Sequence, residues 1–189
     1  MASSQKQMLN DIPDRFIFMK VGDHANENWT SILKRKQKEI SDAGVSFWGY
    51  GGNTCHPLRV QQFADFKKVG DLYLLMQTIK SNSHQVLGVA SEFSVDGSKW
   101  EPIPQGVTVT GSKYALLLGE IQPGDLTLGL SQCTIGIGDS CGKLAVDYLK
   151  GRIDKACLEV NNERPIDPET IRRVSVTAKM IEPYAVFVR

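Results

Sequence analysis

The chain has 189 residues, a formal net charge of +1, 41% hydrophobic and 23% charged residues. This is ordinary globular composition, and it excludes attraction to nucleic acid or anionic membrane through bulk charge. No apolar run approaches the ~20 residues of a membrane-spanning helix and no secretory h-region is evident, so a cytoplasmic protein that does not enter membranes is expected.

The length suffices for one full core, and the simplest division is a flexible terminus over residues 1–14 followed by a single globular domain over residues 15–189. Residues 15–21 (RFIFMKV) combine aromatic and branched side chains suited to a first strand. A helix follows between Asn28, a candidate N-cap, and Gly44, placed as the residue that ends it. Trp29, Ile32, Leu33, Ile40 and Ala43 recur there at helical spacing, with Lys34, Arg35, Lys38 and Glu39 expected mostly on the solvent side. The basic run 34–38 reads as a solvated face.

Residues 45–50 form a second expected strand that enters a glycine-rich loop, and residues 58–66 a short helix. Residues 72–76 (LYLLM) have strand length and continuous apolarity. With residues 86–95 they read as a hairpin across a long polar loop, and Asp96-Gly97 marks the next turn. Gly70-Asp71, this apolar run, the turn and Gly88-Val89-Ala90 together are similar to part of the pattern of small PUA-like β-barrels, which bind modified bases or RNA. That fragment covers about a quarter of the chain, is not specific to the family, and fold does not decide function.

A second hairpin is expected from residues 113–121 and 125–130 around Pro123-Gly124. Short helices are expected at 144–149 and 166–173, the latter begun by Asp167 and Pro168, and strands at 174–180 and 184–188 close the chain. The expected fold class is α+β: a twisted, mainly antiparallel sheet or partly closed barrel, with an N-terminal helix and short C-terminal helices.

The densest concentration of chemistry is the run 47–57, FWGYGGNTCHP. Aromatic faces offer stacking surface, and glycines let backbone approach a ligand. Trp48 and Tyr50 are the candidate stacking residues, Gly49, Gly51 and Gly52 the candidates for admitting a ligand, and Asn53, Thr54 and His56 the candidates for reading its edge. Lys143, at the end of a glycine-rich segment beginning at Gly136, or a residue of the basic run 34–38 is the candidate phosphate contact. That segment lacks the Walker A spacing and the dinucleotide fingerprint, so a surface turn is its leading interpretation.

Cys55 and His56 are adjacent, and neighbours on extended chain point opposite ways, so a base for a reactive Cys55 has to come from His24 or His84. The three histidines are widely spaced without a CxxC clip, and no metal site, cofactor or catalytic residue is assigned. Cys55, Cys133, Cys141 and Cys157 read as reduced thiols, Cys157 as a small hydrophobe in a strand. The leading expectation is non-catalytic binding, for sensing or sequestration, of a planar phosphate-bearing small ligand such as a nucleotide. The alternatives are an enzyme acting on a nucleotide-like substrate through Cys55 or His56, and a protein-interaction domain with exposed aromatics. Nucleic acid as partner is not favoured, and self-association stays open.

Overall fold

The computed structural model describes residues 9, 11–23, 27–65, 70–80 and 88–189. Its centre is a mixed sheet in the order β2-β6-β9-β3-β1-β8-β7, with β4 paired to the last residues of β9 and β5 paired to β4. The strands are β1 (Arg15–Val21), β2 (Ser46–Tyr50), β3 (Tyr73–Thr78), β4 (Glu92–Ser94), β5 (Glu101–Pro102), β6 (Tyr114–Gly129), β7 (Cys133–Ile135), β8 (Lys155–Val160) and β9 (Ile171–Val188). The helices are α1 (Trp29–Ala43), α2 (Pro57–Asp65) and α3 (Ala145–Tyr148). Among the described residues only β1 and β3 pair in parallel; the other ladders are antiparallel. The path ends at two separate edges, β2 and β7, so the expected partly closed barrel is replaced by an open sheet.

Alternation along the central strands explains why β1 and β3 read as continuous apolar runs. Ile17, Met19, Leu74 and Met76 face one layer with Leu33 of α1 and Val60 and Phe63 of α2. Phe16, Phe18 and Leu75 face the opposite layer with Ala145 and Leu149 around α3. A third cluster, around Phe47, Leu117 and Val186, lies beneath the segment that carries β4 and β5. Both sheet faces are therefore covered near β1.

α1 starts where the sequence signals place it. Asn28 Oδ1 accepts from the Ser31 amide at 2.9 Å, and Gly44 adopts φ 77 with its amide donating to Ile40 O. Its buried face corrects the expected charge pattern, because Lys36 and Glu39 are only 3% and 4% exposed. Both occupy positions continuous with the apolar stripe, Lys36 one turn and Glu39 two turns beyond Ile32.

Three non-local expectations are also corrected. β3 pairs with β1 and β9, whereas β4 pairs with β5 and β9, so residues 72–76 and 86–95 are not hairpin partners. Residues 81–87 of that expected loop and strand lie outside the described residues. Pro123-Gly124 is not a hairpin turn: β6 continues through it and pairs with β9 on both sides, with a register shift between Pro123 and Leu126. A Cβ at Gly124 would stand 2.9 Å from Thr177 Cγ2, so the glycine lets the two strands approach at this irregularity.

The third correction concerns residues 166–173. Only a single 3-10 turn forms there, Pro168–Thr170, capped by Asp167, before β9 begins at Ile171. The two closing strands expected from the sequence are one strand.

Of the stretch expected to be a flexible terminus, residues 1–8 and 10 lie outside the described residues, while Leu9 and Ile12 pack against the cluster around Phe16. Among the described residues, no helix is long and apolar enough to cross a membrane.

Candidate functional site

Two cavities flank the loop that joins β2 to α2. The larger, about 390 Å³, lies beyond the last residues of β1 and β2 and against α1. Trp48, Gly49, Tyr50 and Gly51 line it, together with residues 108–112 and Asp154 and Lys155 at the start of β8. The smaller, about 180 Å³, is lined by Asn53, Thr54, Cys55 and His56, the loop around Gly138, Tyr148 and Cys157. The run singled out in the sequence is thus divided between two cavities. The division falls at Gly52, which has φ +86, lines neither cavity and lies in a bend of the chain.

In the larger cavity most charged side chains already hold protein partners. Lys36 Nζ donates to Phe47 O at 2.6 Å, Thr108 O at 2.7 Å and Glu39 Oε2 at 3.0 Å. Glu39 in turn accepts from Ser46 Oγ at 2.6 Å, the Thr108 amide at 3.1 Å and Arg35 Nη1 at 3.1 Å. Burial pulls the Lys36 pKa down from 10.5 to about 8, against the opposing pull of Glu39. Arg35 also grips Glu27, at 2.8 Å. These groups tie α1 to β2 and to the segment around Thr108.

The N-terminus of α1 is closed in the same way. Asp23 Oδ1 accepts the Trp29 amide at 3.0 Å, and Asn28 takes that of Ser31, so neither amide is left for a ligand anion. Lys20 is held more loosely, donating to Leu149 O at 3.3 Å, while the nearly buried Lys155 donates to Gly51 O at 3.2 Å and pairs with Asp154 at 2.5 Å.

The aromatics of the cavity differ in freedom. Tyr50 is 5% exposed; its hydroxyl donates to Cys55 O at 2.6 Å and its ring meets that of Tyr114. Burial, then the neighbouring Cys55 and Cys157, push its pKa up. It fixes the loop from within. Trp48 is only partly buried and is the aromatic with surface left for a ring.

The three glycines also separate. A Cβ at Gly49 would stand 2.3 Å from Ser112 Oγ and 2.9 Å from Val109 Cγ1, so its role is to let residues 109–112 close over β2. Gly51 has open space beside it.

His56 sits edge-on to Tyr114 and Phe187 at 5.5 and 5.3 Å, and its carbonyl accepts the Arg59 and Val60 amides at the start of α2. His24 and His84, the other candidate bases for Cys55, lie outside the described residues. Lys143 is exposed and lines neither cavity. The amides of Cys141, Gly142 and Lys143 donate to Gly138 O, Ile135 O and Ser140 O, so the glycine-rich segment closes on itself as a surface turn. Gly138, with φ +88, lies under the guanidinium of Arg59, which pairs with Asp139 at 3.3 Å.

Sequence reasoning missed Lys155 as a cavity wall and Cys157 as a cavity thiol; it offered the run 34–38, which holds Arg35 and Lys36, as an alternative phosphate contact without placing either at the cavity. Lys36 carried a signal in its phase with the α1 apolar stripe; Cys157 carried none, since its neighbour Cys55 is distant in sequence. Among the described residues no group of three or more His, Cys, Asp or Glu side chains is arranged to hold a metal ion. Compared with protein-family models, curated proteins and solved structures, the chain matches none.

Proposed function

We propose that this protein binds, without transforming it, a small planar ligand bearing phosphate, such as a nucleotide or nucleotide-derived signal, in the larger cavity. The observation that carries the proposal is the meeting of Trp48, Tyr50 and Gly51 with Lys20 and Lys155 at one cavity, whose other cations, Arg35 and Lys36, are held by protein partners. The volume of about 390 Å³ falls in the range of small-molecule sites.

In this reading Trp48 takes the ring, Tyr50 holds the wall, and Gly51 gives the ligand room at the mouth. Lys36 and Arg35 are saturated by protein acceptors, so Lys20 meets the phosphate in exchange for Leu149 O, and Lys155 in exchange for Gly51 O while keeping Asp154. Asn53, Thr54 and His56 border the other cavity and serve only a ligand long enough to pass the loop. Lys143 serves none of these contacts, and the phosphate role first given to it passes to Lys155.

The test is a thermal-shift panel of mono-, di- and cyclic nucleotides, because a ligand that binds the native state raises its stability by mass action. The expected result is stabilisation by one class, weakened by salt and weakened by about 1–3 kcal/mol of binding energy in Trp48→Ala, the range for a stacked base. A flat panel at concentrations far above micromolar removes the proposal.

A further inference from the structure

We propose that Cys55 and Cys157 form a dithiol that reacts with small-molecule disulfides in the smaller cavity and closes to a reversible intramolecular disulfide. This site is separate from the proposed ligand cavity and does not depend on it.

The two thiols come from distant parts of the chain yet line one cavity, and Cys55 packs against the cluster that contains Cys157. Their exposures differ in a useful way. Cys55 is partly exposed and opens to the cavity, while Cys157 is 4% exposed on the inner face of β8. A reagent therefore reaches Cys55 first, and the second thiol waits beside it, shielded from reagent.

The position of Cys55 is strongly determined. It adopts φ 55, a left-handed conformation uncommon for a residue with a side chain, and the buried Tyr50 hydroxyl holds its carbonyl at 2.6 Å. β8 supplies a second attachment to the same loop. Lys155 and Cys157 lie two residues apart, hence on one face of the strand, and Lys155 Nζ holds Gly51 O at 3.2 Å. The loop is thus fastened to β8 at its Gly51 end, and its other end carries Cys55 at the cavity that Cys157 also lines.

The remaining cysteines are placed differently. Cys133 is buried in the cluster on the opposite sheet face, and Cys141 is exposed on the surface turn. Arg59 lines the cavity and is held by one exposed carboxylate at 3.3 Å, which favours disulfides whose substituents carry carboxylates.

The chemistry is two exchanges. The Cys55 thiolate, its proton released to solvent, attacks one sulfur of R–S–S–R; that bond breaks and RS⁻ leaves, giving a mixed disulfide at Cys55. Cys157, deprotonated in turn, attacks Cys55 Sγ and expels the second RS⁻. The protein loses two electrons and two protons, and the small disulfide gains them as two RSH.

The experiment is carried out on the full chain with Cys141→Ser, reduced and then exposed to oxidised glutathione without oxygen. Remaining thiols are alkylated and the protein is mapped by mass. The expected result is a product lighter by two hydrogens, a crosslinked peptide pair containing Cys55 and Cys157, and recovery of both thiols with dithiothreitol. Cys157→Ser in the same background should stop at a mixed disulfide on Cys55, and Cys55→Ser should leave Cys157 unreacted. Mapping of the parent chain keeps the test decisive if either variant fails to fold. The proposal is overturned if both thiols stay alkylatable, if the parent halts at the mixed disulfide, or if Cys133 supplies the crosslink.

Discussion

On one side of the 51–56 loop the larger cavity is walled by charges engaged with protein partners; on the other, the smaller cavity is walled by two thiols and a guanidinium with one exposed partner. The difference teaches how to read polar groups around a cavity. Lys36 and Glu39 are buried, fully hydrogen-bonded and remote in role from any ligand, because they hold α1 to β2. Cys55 and Arg59 sit where a small molecule meets them directly. Polarity near a cavity therefore marks a site only where its hydrogen-bonding capacity is unfilled or exchangeable.

The strongest test of this contrast removes Lys36. In Lys36→Met the Glu39 carboxylate keeps Ser46, Thr108 and Arg35 but loses its buried cation, and stability should fall by about 3–5 kcal/mol, measured by urea unfolding. A neutral result would mean that the network is as loosely held as the Arg59–Asp139 pair.

The same lysine has a pH signature. Its pKa falls from 10.5 to about 8 on folding, so between those values the unfolded chain binds more protons. The stability of the parent relative to Lys36→Met should therefore rise as pH increases from about 8 to 10.5 and level off below that window. Unfolding curves for both proteins at successive pH values check the sign.

Next in size are two glycines that differ in kind. Gly49→Ala drives a methyl into Ser112 and Val109 and should cost about 1–3 kcal/mol through overpacking. Gly138→Ala meets mainly the movable end of Arg59, so its cost of about 1–2 kcal/mol should come from the left-handed backbone. Arg59→Ala should relieve little of the second, and Ser112→Gly part of the first. Smallest is Asp139→Asn, which breaks an exposed ion pair and should change stability by less than ~1 kcal/mol.

How much of this was legible depends on the range of the signal. The start of α1 at Asn28, its end at Gly44 and the limits of β1 follow from side-chain chemistry within a few residues, and the sequence identifies them. β6 and β9 do not yield to that reasoning, because Pro123-Gly124 has the composition of a turn and only β9, paired along both halves, makes it a bulge. The parallel pairing of β1 with β3 depends on α1 and α2 covering one face.

The run 47–57 was visible as a concentration of chemistry, but its division was not. Residues 48–51 and 53–56 part company at one positive φ, a backbone property that composition leaves open. Cys157 joined Cys55 only through the placement of β8.

The position of β9 has a consequence for how the chain acquires its structure. It is the last strand in sequence, yet it lies inside the sheet between β6 and β3 and contributes to all three apolar clusters. Early pairings such as β1 with β3 thus leave an open edge until the final strand arrives, and the contact of Arg15 with Glu159 closes a separation of 144 residues. Non-local closure of this kind slows folding and keeps unpaired edges exposed meanwhile. Release of β9 would open all three clusters together, so the amide protons along β6 and β9 should exchange with solvent as one cooperative unit.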